Sequence, residues 1–265
     1  VGMWPAEGSV SQEVIPLFAA RKIKWIATDE AIVFKSLPEG QHRDDVVFQP
    51  HHAHYGARKI NIFFRDINLS NDVSFKYSQM DPFEAAKNLF GHFIGIRNAV
   101  SKKKENSVIP VILDGENPWP YFPDGGKGFL ESIYGMLDKS ETIIPVTMGG
   151  YLKKNKPHRK IKKLAAGSWI NGDFGKWIGA PNKKKAWEYL NKVRKDVFKE
   201  KKISNEVLRE LYIAESSDWF WWYDEFGSEL NYVFDDIYRM HLKNIYRLRN
   251  KDIPSFLDEP LYDLK

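Results

Sequence analysis

Short apolar runs alternate with apolar stripes at helical spacing through the first half of the chain. The runs lie at residues 24–28, 59–64 and 108–113, after an opening segment that has the character of a strand end, and the stripes lie at 10–20 and 82–100. Alternation of this kind predicts a parallel sheet with helices packed on it. The run VIPVIL at 108–113 is rich in β-branched residues and is followed by turn residues, so it predicts a central strand buried on both faces.

The second half of the chain has a different pattern. Apolar stripes at 182–202, 204–213 and 230–249 predict helices, whereas 34–58, 153–163 and 167–179 read as irregular or loop segments. No internal repeat or low-complexity linker separates the halves. The pattern therefore predicts an α/β region over residues 1–150 and a mainly helical region over 151–265.

Acidic residues follow each predicted strand of the first half. Glu7, Asp29, Asp66 and Asp114 all occupy such positions, and Arg65 directly precedes Asp66. In a barrel of parallel strands the carboxyl ends of the strands form the mouth that holds the active site. We therefore expect these carboxylates to lie around one mouth.

The segment after the run at 108–113 joins carboxylates to aromatic rings. Asp114 and Glu116 are followed by PWPYF, in which Trp119 is the largest ring. Carboxylates suit acid–base chemistry, and flat apolar rings suit the face of a sugar. The alternative is a glycine-containing turn in which Asp114 only caps the backbone.

Composition narrows the possible chemistry. The chain of 265 residues is 43% hydrophobic and 14% aromatic, with 9 Trp and no Cys. A sizeable core is therefore expected, and disulfides, zinc–thiolate sites and thiol nucleophiles are excluded. The absence of Cys fits a reducing compartment, so we expect a cytoplasmic location.

The basic residues exceed the acidic ones, 40 to 35, and give a net charge of +5. They cluster near 102–104, 153–163, 183–185 and 192–202, where solvated helix faces and loops explain them better than a nucleic-acid surface. No apolar stretch reaches the roughly 18 residues that a membrane span needs. We therefore expect neither a nucleic-acid nor a membrane partner.

Six sequence blocks occur in order along nearly the whole chain. They are WPAEGSV at 4–10, WIATDE at 25–30, FFRDINLSNDVSF at 63–75, DGENPWPYF at 114–122, GSWIN at 167–171 and AESSDWFWW at 214–222. Together they resemble glycoside hydrolase family 57, which contains α-amylase-type, amylopullulanase, branching and 4-α-glucanotransferase enzymes. The variants of the blocks look most like the amylopullulanase and α-amylase branch.

The resemblance implies a fold, a mechanism and a set of residues. It implies an incomplete (β/α)7 barrel followed by a helical region that helps to close the cleft. It also implies a retaining reaction on α-glucans, with Glu7 as the nucleophile, Asp114 as the general acid/base and no metal or organic cofactor. Further candidates for substrate binding are Trp4, Asp29, Arg65, Asp66, Glu116, Trp119, Trp169, Asp218, Trp219 and Trp221. For Trp4, Trp119 and Trp169 the alternative is packing in the core. For Asp29, Arg65 and Asp66 the alternative, which we prefer, is a structural ion-pair network that supports the barrel mouth.

The family also has blocks that precede the nucleophile strand, and these do not occur in this sequence. We therefore expect the chain to be part of something longer and to be poorly active by itself. A cluster of His51, His52 and His54 could suggest a metal-dependent deacetylase, but we expect it in a surface loop. A non-catalytic α-glucan-binding module is the other alternative, and the bond specificity, the balance of hydrolysis and transfer, and the oligomeric state stay open.

Overall fold

A computed structural model describes residues 1–101, 106–223 and 228–262. It divides the chain into two compact units, Val1–Gly172 and Asp173–Lys265. Residues 151–172, which we expected in the helical region, thus lie in the first unit rather than beyond a boundary at 150. Backbone hydrogen bonds between Val10 and Gly167 tie this segment to the start of the chain.

The described part of the first unit contains one sheet of five strands, β1 Gly2–Met3, β2 Trp25–Asp29, β3 His51–Tyr55, β4 Arg58–Arg65 and β5 Arg159–Ile161. The strand order is β1-β2-β4-β3-β5, in which β1, β2 and β4 are parallel. β3 runs antiparallel to β4 and parallel to β5. The mixed sheet and the helices around it confirm the predicted α/β class.

Side chains alternate between the two faces of the sheet, as strand geometry requires. Ile26, Ile62 and Phe64 belong to the larger buried core, whereas Ala27 and Phe63 pack on the other face with Tyr151. The helices of this unit are α1 Ile15–Ala20, α2 Glu30–Ser36, α3 Arg43–Val46, α4 Ile67–Asn71, α5 Pro82–Val100, α6 Lys127–Asp138 and α7 Met148–Lys154.

Proline and cap residues determine where two helices of this unit begin. The stripe predicted at 10–20 forms α1 only from Ile15, because Pro16 is accepted in a first turn and not in a helix interior. Asp81 caps α5 by accepting hydrogen bonds from the backbone N–H groups of Phe83 and Glu84, at 3.0 and 3.1 Å.

The prediction of a central strand at 108–113 is wrong. This segment is not a strand, and its side chains pack beside the sheet while Val108 N–H donates to the Phe48 carbonyl at 3.0 Å. Pro110 explains part of the difference, because proline has no N–H for a sheet ladder. The predicted irregular segment at 34–58 instead contains α3 and β3, so the three histidines lie on a strand.

The second unit is helical in its described part, as predicted. Its helices are α8 Gly175–Ile178, α9 Pro181–Val197, α10 Asn205–Ala214, α11 Ser217–Trp222 and α12 Ser228–Leu248. Ser204 caps α10 through a 3.3 Å hydrogen bond from Val207 N–H. The core of this unit includes Tyr238, whose hydroxyl donates to the Ala186 carbonyl at 3.0 Å.

Candidate active site

The carboxyl ends of the three parallel strands lie at one edge of the sheet and gather several predicted site residues. Asp29 is the last residue of β2 and is paired in register with Arg65, the last residue of β4. Glu7 follows β1 after a short loop. The strand order therefore brings the three segments side by side at the edge where α/β proteins place their ligands.

Glu7 lies in a tight turn, Ala6–Gly8, with a left-handed backbone conformation (φ 57°, ψ 24°). Such a conformation costs a non-glycine residue about 1–3 kcal/mol, so the surrounding contacts must maintain it. Gly8 is also left-handed, and a Cβ there would lie 2.7 Å from the ring of Trp4. The buried hydroxyl of Thr28 donates to the Gly8 carbonyl at 2.6 Å. Trp4 thus packs against the turn.

Trp169 holds Glu7 from a segment distant in sequence. Its indole N–H donates to Glu7 Oε2 at 2.7 Å, and its backbone N–H donates to the Glu7 carbonyl at 3.0 Å. Lys35 on α2 holds the same loop, because its ammonium donates to the carbonyls of Asn171 and Gly172 at 3.0 and 2.7 Å. Glu7 is therefore fixed at its backbone and at its carboxylate by one residue.

Arg65 and Asp29 form a buried ion pair beside Trp169. The Arg65 guanidinium donates to Asp29 Oδ2 at 3.0 Å and to Asn71 Oδ1 at 3.1 Å, and it lies 5.3 Å from the Trp169 ring centroid. Burial raises the pKa of Asp29, against the opposing effects of the Ala31 N–H and the Arg65 cation. The polar groups of both buried side chains are thus already paired with other protein groups.

Asp66 and Glu30 share Arg43 as their partner. Arg43 lies 3.0 Å from Asp66 Oδ2 and forms a salt bridge with Glu30, while Asp66 Oδ1 caps α4 by accepting from Leu69 N–H at 2.9 Å. Burial raises the pKa of Glu30 although Arg43 lowers it. This cluster orders the ends of β2 and β4, and we expected the role for Asp66 but had no signal for Arg43.

Asp114 lies on an exposed turn. Its Oδ2 accepts a long hydrogen bond from the Asn117 side chain, at 3.5 Å. The preceding segment is tied to the same edge of the sheet, because Ser70 on α4 donates to the Ile112 carbonyl at 2.7 Å. The segment that carries the Asp114 turn is therefore held next to α4, the helix that follows β4.

The two other candidates on this turn differ in exposure. Glu116 is exposed, whereas Trp119 is half-buried and its indole N–H donates to the Gly115 carbonyl at 3.0 Å. The Trp119 ring also covers Gly126, where a Cβ would lie 2.4 Å from it. Trp119 therefore packs against its own loop, and part of its ring stays exposed to solvent.

The second unit contains the remaining candidates. Asp218 is exposed and accepts a hydrogen bond from the Ser216 hydroxyl at 2.6 Å. Trp219 is only 8% exposed, and its indole N–H donates to the Ile213 carbonyl at 2.7 Å, so it packs within the core of this unit. Trp221 is half-buried, 5.6 Å from the Trp177 ring, with Lys176 Nζ 4.3 Å from its ring centroid.

The described residues contain no group of three or more His, Asp or Glu side chains that could hold a metal ion. His51 is buried on β3, and burial lowers its pKa to about 4. Among all the residues that the structure describes, no helix is long and apolar enough to cross a bilayer. The basic cluster at 102–104 lies outside the described residues.

Besides Arg43, three further residues of the site were not identified from the sequence. Thr28 supports the Glu7 turn, Asn71 holds Arg65, and Lys35 holds the Trp169 loop. Thr28 directly precedes Asp29 inside the block WIATDE, so its position beside a strand-end carboxylate is the one available clue. The partners of Asn71 and Lys35 depend on the folded chain.

Several solved structures are similar to this chain. A 4-α-glucanotransferase from Thermococcus litoralis has a TM-score of 0.69 at 15% identity, covering 91% of this chain and 41% of that one. A family 57 branching enzyme from Thermococcus kodakaraensis has a TM-score of 0.70 at 15% identity, covering 89% and 53%. The α-amylase AmyC from Thermotoga maritima has a TM-score of 0.62 at 16% identity, covering 94% and 60%. These likenesses establish a shared fold.

The chain spans about two to three fifths of the length of these enzymes. A comparison with curated protein sequences found no match. The family model of glycosyl hydrolase family 57 matches residues 1–163, which contain the strands, Glu7 and Asp114. On this match over more than half of its length, the chain belongs to glycosyl hydrolase family 57.

Proposed function

We propose that this chain carries the catalytic carboxylates of a retaining glycoside hydrolase that acts on α-glucans. Glu7 is the nucleophile and Asp114 is the general acid/base. The observation that carries this proposal is the position of Glu7, whose carboxylate is held by the Trp169 indole at 2.7 Å beside the ends of three parallel strands. The family itself and the similarity to a 4-α-glucanotransferase and an α-amylase support the substrate class.

The reaction proceeds by two displacements. Glu7 attacks the anomeric carbon, the bond from that carbon to the glycosidic oxygen breaks, and Asp114 gives its proton to the leaving oxygen. Asp114 then takes a proton from water as the water oxygen attacks the same carbon, and the Glu7 carboxylate leaves. The configuration at the anomeric carbon is retained because it is inverted twice.

Sugar contacts follow from the exposed parts of the site. Glu116 is exposed and suits a hydroxyl, and the half-buried rings of Trp4 and Trp119 offer apolar surface. In the second unit, Asp218 and Trp221 are our remaining candidates. Asp29, Arg65 and Asp66 act in this proposal by ordering the strand ends, since their polar groups are already paired.

The mutational test uses isosteric changes in the full-length protein with maltoheptaose as substrate. Glu7→Gln and Asp114→Asn should each lower kcat by about 10³-fold or more, because each removes a group that makes or breaks a bond. Glu13→Gln makes the same change at an exposed carboxylate six positions from Glu7 and should leave turnover unchanged. Turnover that survives Glu7→Gln would exclude this role for Glu7.

A transferase of the same family is the alternative, since two of the similar structures are those of a glucanotransferase and a branching enzyme. The same two carboxylates would serve it, with a glucan hydroxyl in place of water. Product analysis separates the two: new reducing ends indicate hydrolysis, and chains longer than the substrate or new α-1,6 branches indicate transfer. A non-catalytic binding module would retain glycogen affinity in both variants and show no turnover in the wild type.

A further inference from the structure

We infer that Trp169 is a positioning residue for Glu7, acting through its indole N–H rather than by stacking on the sugar. This inference rests on the proposed function, because it assigns a purpose to the contact only if Glu7 is the nucleophile. It also replaces the sugar-stacking role that the sequence suggested for Trp169.

The contact joins residues 162 positions apart through two hydrogen bonds. The indole N–H meets Glu7 Oε2 at 2.7 Å, and the backbone N–H meets the Glu7 carbonyl at 3.0 Å. The first is short, as expected where a donor meets an ionised carboxylate. The second holds the main chain of Glu7 in its left-handed conformation. A residue that only stacked on a sugar would need neither bond.

Three observations show that the loop carrying Trp169 is itself held in place. Val10 and Gly167 exchange two backbone hydrogen bonds of 2.8 and 3.0 Å. A Cβ at Gly167 would lie 2.3 Å from the Gly172 carbonyl oxygen, so the loop is closed tightly upon itself. The Arg65 guanidinium, held by Asp29, lies 5.3 Å from the Trp169 ring centroid, where a cation–π attraction favours this ring position.

The arrangement suits the two tasks of a glycosidase nucleophile. A hydrogen bond at Oε2 restricts rotation of the carboxylate, and the other oxygen, Oε1, is the atom that we assign to attack on the anomeric carbon. The carboxylate must also leave in the second displacement, and a fixed donor stabilises the charge that returns to it. Loss of the N–H should therefore lower kcat and have little effect on KM.

The experiment replaces the indole N–H without removing the ring. Benzothienylalanine, which has sulfur in place of the N–H, is incorporated at position 169 of the full-length protein, and Trp169→Phe is made beside it. With maltoheptaose, both variants should lose about 10- to 100-fold in kcat, with KM within about twofold of the wild type. Benzothienylalanine at Trp187, whose N–H donates to the Trp177 carbonyl at 3.0 Å, is the matched control and should retain kcat.

A stacking role predicts a different pattern of kcat and KM. Both replacements keep a flat ring, so kcat and KM would stay close to the wild type, and only Trp169→Ala would raise KM. That result would overturn the inference and leave the proposed function standing.

A structural readout separates the two proposals. In protein labelled with ¹⁵N-tryptophan, the indole resonance that disappears in Trp169→Phe should move upfield in Glu7→Ala, because its acceptor is lost. No movement would overturn the inference whatever the kinetics. If the resonance moves in Glu7→Ala but the wild-type protein forms no glycosyl-enzyme with a fluoroglycoside trap, the contact stands and the proposed function is refuted.

Discussion

The turn that carries Glu7 and the turn that carries Asp114 differ in how the rest of the first unit holds them. Around Glu7, Thr28 and Trp169 bind the backbone, and Trp169 also binds the carboxylate. Asp114 is exposed, with a 3.5 Å hydrogen bond from the neighbouring Asn117. The first turn is fixed by distant residues, and the second is supported within its own loop.

This difference matches the demands of the two proposed roles. A nucleophile must lie within bonding reach of one carbon, and a misplacement of about 1 Å can cost about 100-fold in rate. An acid/base gives its proton to the glycosidic oxygen in the first step and takes a proton from water in the second. The hydrogen bonds of such a group in the unliganded enzyme often tighten only when substrate binds. We therefore expect the Glu7 turn to be the more sensitive of the two to changes in packing.

Substitution of the glycine beside each carboxylate provides the strongest test of this comparison. Gly8→Ala should destabilise the protein by about 2–5 kcal/mol, because alanine is strained at φ 57° and its Cβ would lie 2.7 Å from Trp4. Chemical denaturation measures the free energy of unfolding. The kcat of the Gly8→Ala variant should fall as well.

The matched change on the other turn is Gly115→Ala. A Cβ at Gly115 would have no atom within 4 Å in the described structure, so the effect on stability should stay within about 0.5 kcal/mol. Equal losses in the two variants would contradict the comparison, because they would mean that the Asp114 turn is packed as tightly as the Glu7 turn.

The sequence predicted the elements better than the contacts between them. The ends of β2 and β4 and the cap of α5 follow from local signals, namely apolar runs ended by Asp29 and Asp66 and an Asp81-Pro82 start. β3 was missed because HHAHY lacks the branched residues of a typical strand. It forms because it pairs with the apolar β4 across a short turn that contains the left-handed Gly56.

The candidate site was predicted only in its residue types. Glu7 and Trp169 were both identified, but the hydrogen bond between them spans 162 positions and depends on how the 167–172 loop closes. The position of 108–113 beside the sheet likewise depends on Phe48 and Ser70, which bind its backbone. No local pattern encodes such pairings, because each partner is in a different element.

Acid should destabilise the fold through His51, which lies close to the contacts that hold the Asp114 segment. The pKa of this buried histidine is lowered to about 4, so the unfolded chain takes up a proton between about pH 6.5 and pH 4 and the folded chain does not. Stability should therefore fall as pH drops through this range, by roughly 3 kcal/mol from this group. His51 binds the Gln49 carbonyl at 2.8 Å, and the Gln49 side chain binds Ser107 at 2.8 Å, next to the segment that leads to Asp114.

The measurement compares unfolding free energies of the wild type and His51→Asn at pH 7 and pH 4. The stability gap between them should narrow by roughly 3 kcal/mol at the lower pH, since the variant has no group to protonate there. The same exchange at the half-buried His54 should change the gap less. A gap at His51 that is constant with pH would show that this residue does not couple acid to folding.

A finer comparison removes one hydroxyl that supports the Glu7 turn and one that supports the Asp114 segment. Thr28→Val leaves the Gly8 carbonyl without its 2.6 Å donor at a buried position, which should cost about 1–3 kcal/mol and lower kcat. Ser70→Ala removes the donor to Ile112 on the Asp114 side and should cost about 0.5–1.5 kcal/mol, with a smaller change in kcat. A larger kcat loss in Ser70→Ala would reverse the order of sensitivity that we infer.

The smallest difference concerns the carboxylates themselves, measured as stability rather than activity. Glu7→Gln keeps an oxygen for the Trp169 N–H but loses the charge that strengthens this bond, so we expect a loss of about 0.5–1 kcal/mol in unfolding free energy. Asp114→Asn changes an exposed group and should stay within about 0.5 kcal/mol. Both variants should lose catalysis, so the pair separates what each carboxylate does for the fold from what it does for the reaction. If Asp114→Asn proved the more destabilising change, the Asp114 turn would have to be supported by more than the long Asn117 bond, and the contrast between the two turns would fail.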